Sequence, residues 1–225
     1  MNSDPIKQAL QWLETERGFG ITEAKATKGA TSVSPADGAG LSGLYEAYKD
    51  CRLCALCETR NKFVFGAGDP RARLMFIGEA PGADEDQQGL PFVGKAGQLL
   101  TKIIEAMRLT RDEVYIANTL KCRPPENRAP LPSETAACRP LLLRQIELIR
   151  PEVICALGKH AAQAMLGTEE PIGKLRGRFH DWKGIPLMPT FHPAYLLRNP
   201  EDKKIVWADM QLIMRRLGIA VPVKK

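Results

Sequence analysis

The sequence contains no long hydrophobic run, and none of its apolar stretches approaches the roughly 20 residues that a membrane-spanning helix requires. Its first residues, MNSDPIKQALQWLETERGFG, have neither the apolar core nor the cleavage site of a secretory signal. With 44% hydrophobic residues, the 225-residue chain has the composition of a globular protein with one sizeable core. These features predict a cytoplasmic protein with no membrane partner, and we expect a monomer.

Two nucleotide-binding motifs are also missing. The chain has no GxxxxGK[ST] sequence, and no GxGxxG opens a predicted helix. Cysteine is sparse, because six cysteines in 225 residues would form only a thin disulfide framework. The cysteines are therefore better interpreted as metal-binding thiolates in a reducing compartment.

Positive charge is concentrated near the C-terminus. Residues 171–225 contain eleven Lys and Arg against four Asp and Glu, whereas the whole chain has a net charge of +6. DNA or RNA would be attracted to this region, because neutralised phosphates release their counterions. A solvated basic surface without a partner fits the charge equally well.

The sequence predicts three parts along the chain. Residues 1–40 form an N-terminal extension, with a short helical pattern and then a polar linker that is expected to be disordered. Residues 41–218 form the folded domain, and residues 219–225 form a basic tail.

Apolar runs alternate with helical patterns in the folded domain. Strands are predicted at residues 74–77, 114–120, 153–157 and 186–191, and helices at residues 96–107, 133–149, 159–166 and 203–217. This alternation favours an α/β fold in which helices cover both faces of a parallel sheet. Ligands of such sheets bind beyond the carboxyl ends of the strands.

Loops after three of these strands carry candidate binding residues. GEAPG, after the first strand, forms a tight turn whose backbone N–H groups can bind an anion or a carbonyl oxygen. Asn118, at the end of the second predicted strand, has an amide whose donor and acceptor lie in one plane, as recognition of a nucleobase edge requires. Alternatively, Asn118 is a structural residue that caps the next loop. His192, after the fourth, can donate to a developing negative charge, or else it is a structural imidazole.

Four cysteines are candidates for a metal site, namely Cys51, Cys54, Cys122 and Cys138. The first two form a CxxC pair. Such a set can hold zinc or an iron–sulfur cluster, and the spacing does not choose between them. Cys155 lies in an apolar strand and is expected to pack in the core, whereas Cys57 is expected to be a spectator.

Together these motifs resemble the family 4 uracil-DNA glycosylases, the iron–sulfur branch of their superfamily, over residues 41–218. The resemblance rests on CxxC, GEAPGADEDQQGLPFVGKAGQLL, ANTLKCRPPENRAPLP and HPAYLLRNP in this order. It implies a three-layer α/β/α sandwich with a central four-stranded parallel sheet. It also implies a [4Fe-4S] cluster on the four cysteines, and a DNA repair enzyme that removes uracil.

The resemblance also implies a base pocket. Backbone groups of Gly78, Glu79 and Ala80 would line this pocket, and the Phe92 ring would stack on a flipped-out uracil. Asn118 would bond the O4 and N3 edge and reject cytosine, whose exocyclic amine is a donor where uracil has an acceptor.

Catalytic roles follow from the same resemblance. His192 would stabilise negative charge on O2 of the departing base, and Glu79 would orient the attacking water, with Asp84 and Glu85 as the next candidates for that role. Ala80 stands where another branch has an aspartate, so we expect little general-base catalysis. Leu90 replaces an arginine usual in the family and is expected to alter DNA contacts or base selectivity. The loop PPENRAPLPSETAAC lacks the histidine with which a sister group traps uracil covalently, so we expect turnover.

Five further residues are assigned to DNA contact: Arg123, Arg128, Leu196, Leu197 and Arg198. The arginines would bind the backbone, and at least one leucine would fill the gap left by the flipped nucleotide, unless both leucines belong to a core helix. The expected partner is DNA that contains uracil or another deaminated base. Three alternatives are a binding protein with little turnover, a glycosylase of broader base selectivity, and an iron–sulfur redox or sensor protein.

Overall fold

The computed structural model describes residues 40–222. The predicted N-terminal helix and nearly all of the predicted linker lie outside the described residues, so the proposed division of the chain stays a prediction. Within residues 40–222, no helix is long and apolar enough to cross a membrane.

Six strands form one mixed sheet in the order β1-β3-β2-β4-β6-β5. The strands are β1 (Ala67–Gly68), β2 (Leu74–Gly78), β3 (Tyr115–Asn118), β4 (Val153–Leu157), β5 (His180–Trp182) and β6 (Ile185–Thr190). Strands β3, β2, β4 and β6 are parallel and correspond to the four predicted strands. The predicted strand count is too low, because β1 and β5 add antiparallel edges only two and three residues long, too short to form a recognisable apolar run.

Eight α-helices occur in the described part of the chain. They are α1 (Gly40–Tyr48), α2 (Ala83–Gln88), α3 (Lys95–Ala106), α4 (Pro132–Ile149), α5 (Lys159–Leu166), α6 (Ile172–Leu175), α7 (Pro193–Arg198) and α8 (Lys203–Arg216). Helices α3, α4, α5 and α8 are the four predicted helices, with ends that differ by at most one residue.

Two hydrophobic clusters lie on opposite faces of the sheet. Leu74 and Phe76 of β2 pack with apolar residues of α3 and α8, whereas Met75 and Ile77 pack with those of α4 and α5. Successive side chains of a strand point to opposite faces, so each face of β2 meets its own helical layer. All residues of β2, β3 and β4 are buried, as expected for strands covered on both sides. The predicted α/β/α sandwich is confirmed.

Candidate functional site

The predicted base-contacting residues lie at one edge of the sheet. Gly78, the last residue of β2, is in register with Asn118, the last residue of β3. Gly158 follows β4, and His192 follows β6 after one intervening residue. Because carboxyl ends of parallel strands meet at the same edge, the sheet itself brings these loops together.

Gly78, Asn118 and Phe92 are in close contact. A Cβ at position 78 would lie 2.6 Å from Phe92 Cζ and closer still to Asn118 Oδ1. Only glycine leaves room for both side chains. Asn118 is 2% exposed, and its Oδ1 is buried without a hydrogen-bond partner among the described residues. An unpaired buried acceptor is costly, which indicates that this oxygen is available to a ligand donor.

Glu85 holds the loop that carries Phe92. Its Oε1 accepts from the backbone N–H groups of Val93 at 2.8 Å and Gly94 at 2.9 Å, and its Oε2 accepts from that of Gly82 at 3.1 Å. Phe92 has a φ of 53°, which a bulky side chain rarely adopts. The Glu85 carboxylate therefore holds the backbone of Phe92 in an energetically costly conformation, and this fixes the position of the aromatic ring.

Arg111 clamps the same loop from the other side. Its guanidinium donates to the carbonyl oxygens of Pro91 at 2.8 Å and Phe92 at 3.0 Å, and to Thr101 Oγ1 at 3.2 Å. The sequence did not indicate this role of Arg111. Arg111 lies 19 positions after Phe92, and no local pattern predicts a contact between them.

His192 lies against Phe92, with ring centroids 5.6 Å apart and planes tilted by 33°. Its Nδ1 accepts from the backbone N–H of Ala194 at 3.1 Å, so the neutral ring carries its proton on Nε2. Burial lowers the pKa of His192 to about 4, and the charge of Arg198 acts in the same direction. The imidazole is therefore an uncharged donor at neutral pH.

Both the backbone and the side chain of Glu79 have hydrogen-bond partners. Its carbonyl oxygen accepts from Thr119 Oγ1 at 2.6 Å and from the Leu120 N–H at 3.0 Å. Its carboxylate Oε2 lies 2.6 Å from Nδ1 of His160, in the first turn of α5. Sequence reasoning missed His160, although a signal existed, since the loop after β4 also lies at the carboxyl edge of the sheet.

The four predicted cysteine ligands lie near one another. Cys54 and Cys138 pack with Cys122 in a small apolar cluster, which also contacts Ala80. Burial is the main cause that raises the pKa of these three thiols, and nearby Cys51 raises each of them further. Within residues 40–222, no group of three or more potential ligands has the arrangement of a metal site.

Two cationic side chains accompany these thiols. Arg60 Nη1 donates to Cys122 Sγ at 3.1 Å. Lys121 is fully buried, and its Nζ donates to the carbonyl oxygen of Asn118 at 2.9 Å and to Gln145 Oε1 at 2.6 Å. Burial lowers the pKa of Lys121 to about 8. Lys121 therefore connects the backbone of Asn118 to the region of the cysteines.

The two leucines assigned to DNA contact have different environments. Leu196 is 0% exposed and belongs to the main hydrophobic core, so its assignment to DNA contact is wrong. Leu197 is 46% exposed on the same short helix, α7, and Arg198 is exposed beside it. A wedge into DNA stays a prediction for Leu197 alone.

Both predicted arginine contacts after Cys122 have partners within the protein. Arg123 Nε donates to Asn127 Oδ1 at 2.8 Å. Arg128 donates to both carboxylate oxygens of Glu134, at 2.6 and 2.9 Å, and the Glu134 side chain is only 5% exposed. Binding of a phosphate by Arg128 would have to compete with this ion pair, and both contacts stay predictions.

An open groove lies elsewhere on the surface. Its lining includes Tyr45 of α1, Phe65 and Leu90. Gly78, Asn118 and His192 are not among the residues that line it, so the chemistry of the strand ends is separate from this groove.

Comparison with known proteins gives the class to which this fold and site belong. A family model described as the uracil DNA glycosylase superfamily matches residues 65–211, which include the strand ends and their loops. Type-4 uracil-DNA glycosylases of Saccharolobus solfataricus, Thermotoga maritima and Archaeoglobus fulgidus are 45%, 46% and 39% identical to the chain. These matches cover 76%, 74% and 81% of this chain and 83%, 88% and 96% of the three relatives. The chain therefore belongs to the type-4 uracil-DNA glycosylase family.

Proposed function

We propose that this protein flips uracil out of DNA and hydrolyses its N-glycosidic bond, leaving an abasic site. The observation that carries the proposal is the unpaired, buried Oδ1 of Asn118 beside the Phe92 ring. Uracil stacked on that ring would offer its N3–H to Oδ1 and its O4 to the amide Nδ2–H. Cytosine lacks the N3–H and has an amine at C4, so it would leave buried polar groups unpaired.

His192 supports the bond-breaking step. When the C1′–N1 bond breaks, its electron pair leaves with uracil and the sugar becomes cationic. The Nε2–H of the neutral imidazole would donate to O2 of the uracil anion, and a fixed donor in a site shielded from water is effective for this purpose. A water molecule, oriented by Glu79, then adds to C1′. Glu79 would take the proton only after the bond to the cationic sugar has formed, so little general-base catalysis is needed.

Release of uracil from a labelled oligonucleotide, followed by alkaline cleavage of the abasic site, tests the proposal. Wild-type protein is expected to release the base, whereas His192→Ala is expected to be about 10²- to 10³-fold slower, as for loss of a donor to an oxyanion. DNA affinity should be unchanged in this variant. A wild-type protein that binds the oligonucleotide without releasing uracil would instead be a binding protein. Parallel substrates with hypoxanthine or xanthine determine the base range.

The four cysteines would hold a [4Fe-4S] cluster. The thiols do not have the arrangement of a metal site, but their chemistry suits the cluster. Cys54, Cys122 and Cys138 pack together near Cys51, and the cations Arg60 and Lys121 lie beside them, which suits a group that is ligated by thiolates and carries negative charge. Cys122 and Cys138 bracket the segment from Arg123 to Arg128, so a bound cluster would fix that segment to the body of the protein. Its contribution would be structural, since hydrolysis involves no electron transfer.

Iron content and visible absorbance test the cofactor, with Cys57→Ala as the matched control. Cys138→Ala is expected to lose iron and the brown colour, whereas Cys57→Ala is expected to keep both. Purified protein that contains zinc and no iron would contradict the cluster. Iron lost equally from both variants would contradict the choice of ligands.

A further inference from the structure

We infer that His160 is a positioning residue for Glu79, which it holds in place for the water that attacks C1′. This inference rests on the proposed function, and it concerns a histidine that the sequence motifs do not include.

The contact is direct and joins two separate strand ends. A carboxylate can only accept, so His160 Nδ1–H donates to Glu79 Oε2 across 2.6 Å. Glu79 follows β2, whereas His160 lies in the first turn of the helix that follows β4. Their side chains are 30% and 45% exposed, so the pair borders solvent from which a water molecule can enter.

The pair lies beside the leaving-group site. Gly158, two residues before His160, is packed so closely against His192 that an added Cβ would lie 2.9 Å from His192 Cβ. Glu79 and His160 thus form one wall of the same strand-end site.

Two neighbouring carboxylates have other partners, whereas Asp84 is exposed. Glu85 accepts three backbone N–H groups of its own loop. Asp86 is buried and accepts from the backbone and side-chain amides of Asn61. Glu79 differs because its side chain is bound by an imidazole, which occupies Oε2 and leaves Oε1 able to accept a proton of the water.

The chemistry assigns each atom a role. One hydrogen bond from Nδ1 restricts the carboxylate to one orientation, so Oε1 is held towards the water. The water oxygen forms the bond to C1′ of the cationic sugar, and the released proton goes to Oε1. His160 does not contact the reacting atoms and acts through Glu79.

Single-turnover excision at saturating enzyme, together with DNA affinity by fluorescence anisotropy, tests the inference. His160→Ala is expected to slow excision about 10-fold or more, the effect of one hydrogen bond to a charged group, without changing DNA affinity. His160→Asn places an amide donor near the position of Nδ1 and is expected to recover most of the rate. In a Glu79→Gln background, His160→Ala is expected to have little further effect.

His180→Ala is the matched control. This variant also removes a histidine side chain, but from the edge strand β5, where the ring is hydrogen-bonded to the carbonyl oxygen of Leu175. It should leave the excision rate unchanged. Three results would each overturn the inference: a wild-type rate in His160→Ala, a loss of DNA affinity that accounts for the whole defect, or independent effects of the two substitutions at positions 79 and 160. A wild-type protein that releases no uracil would overturn the proposed function as well, so the two failures are distinguishable.

Discussion

At the scale of single residues, the proposed base pocket depends on the absence of a side chain at one position. Gly78 lies where the Asn118 amide and the Phe92 ring meet, and both would contact any Cβ placed there. The proposed stacking and edge recognition thus depend on one backbone position, which sets the relative placement of the Asn118 and Phe92 side chains.

Gly78→Ala is expected to reduce uracil excision about 100-fold or more, because the methyl group must displace the ring or the amide by a substantial fraction of an ångström. Single-turnover rates and a thermal melt check this expectation. Gly173→Ala is the control, since its Cβ would meet no atom within 4 Å. Equal rates in the two variants would show that the contacts at Gly78 are not needed for the reaction.

The protonation of His192 gives a second prediction at this scale. Its pKa is about 4 in the folded protein, below the ordinary 6.5 of an unfolded chain. The folded state therefore binds fewer protons between these values, and stability is lost as pH falls from 6.5 towards 4. NMR titration is expected to show a His192 ring that stays neutral at pH 5.5, and this signal should be missing in His192→Gln. A His192 signal that titrates near pH 6.5 would contradict the uncharged donor.

At the scale of elements, the segment that joins β2 to α3 and includes α2 is held by groups on both sides of Phe92. Glu85 accepts hydrogen bonds from backbone N–H groups, and Arg111 donates hydrogen bonds to backbone carbonyl groups. Because both the N–H groups and the carbonyl groups around Phe92 are hydrogen-bonded, the backbone holds the aromatic ring rigidly, although Phe92 has a positive φ.

Arg111→Met is expected to weaken binding of the extruded base, because it leaves the carbonyl oxygens of Pro91 and Phe92 without their donor. Buried groups left unpaired cost about 1–3 kcal/mol, which corresponds to roughly a 5- to 150-fold rise in KM. Steady-state kinetics measure this change. Arg71→Met, an exposed arginine near the amino end of β2, is the control. An unchanged KM would mean that Glu85 alone is sufficient to hold the loop.

At the scale of the whole molecule, a buried carboxylate joins the C-terminal helix to the strand that leads to His192. Asp209 of α8 is 1% exposed. It accepts from Thr190 Oγ1 at 2.6 Å and from Arg176 Nε at 3.0 Å. The position of the imidazole thus depends on helix α8 and on the segment after α6.

Asp209→Ala is expected to lower the free energy of unfolding by about 3–5 kcal/mol, because it leaves the guanidinium of Arg176 without its buried partner. Thr190→Val removes one neutral donor and should cost about 1 kcal/mol. Urea unfolding measures both values. If Asp209→Ala lowers the free energy of unfolding by less than Thr190→Val does, the ion pair contributes little to the stability of the fold.

The sequence by itself determined the elements and the family. Strands β2 and β4 and helices α3, α4, α5 and α8 could be located to within a residue, because burial on one or both faces leaves a periodic apolar pattern in the chain. The order of the loop motifs was sufficient to indicate the uracil-DNA glycosylases, and the comparisons confirm this.

Only the tertiary structure decided how the side chains pair. Leu196 and Leu197 are adjacent in a six-residue helix too short for a period to show which one is buried. The hydrogen bond between Glu79 and His160 joins residues 81 positions apart, and no local pattern encodes such a contact. Periodicity records which faces of an element are buried, whereas the partner of each polar group depends on the whole arrangement of elements.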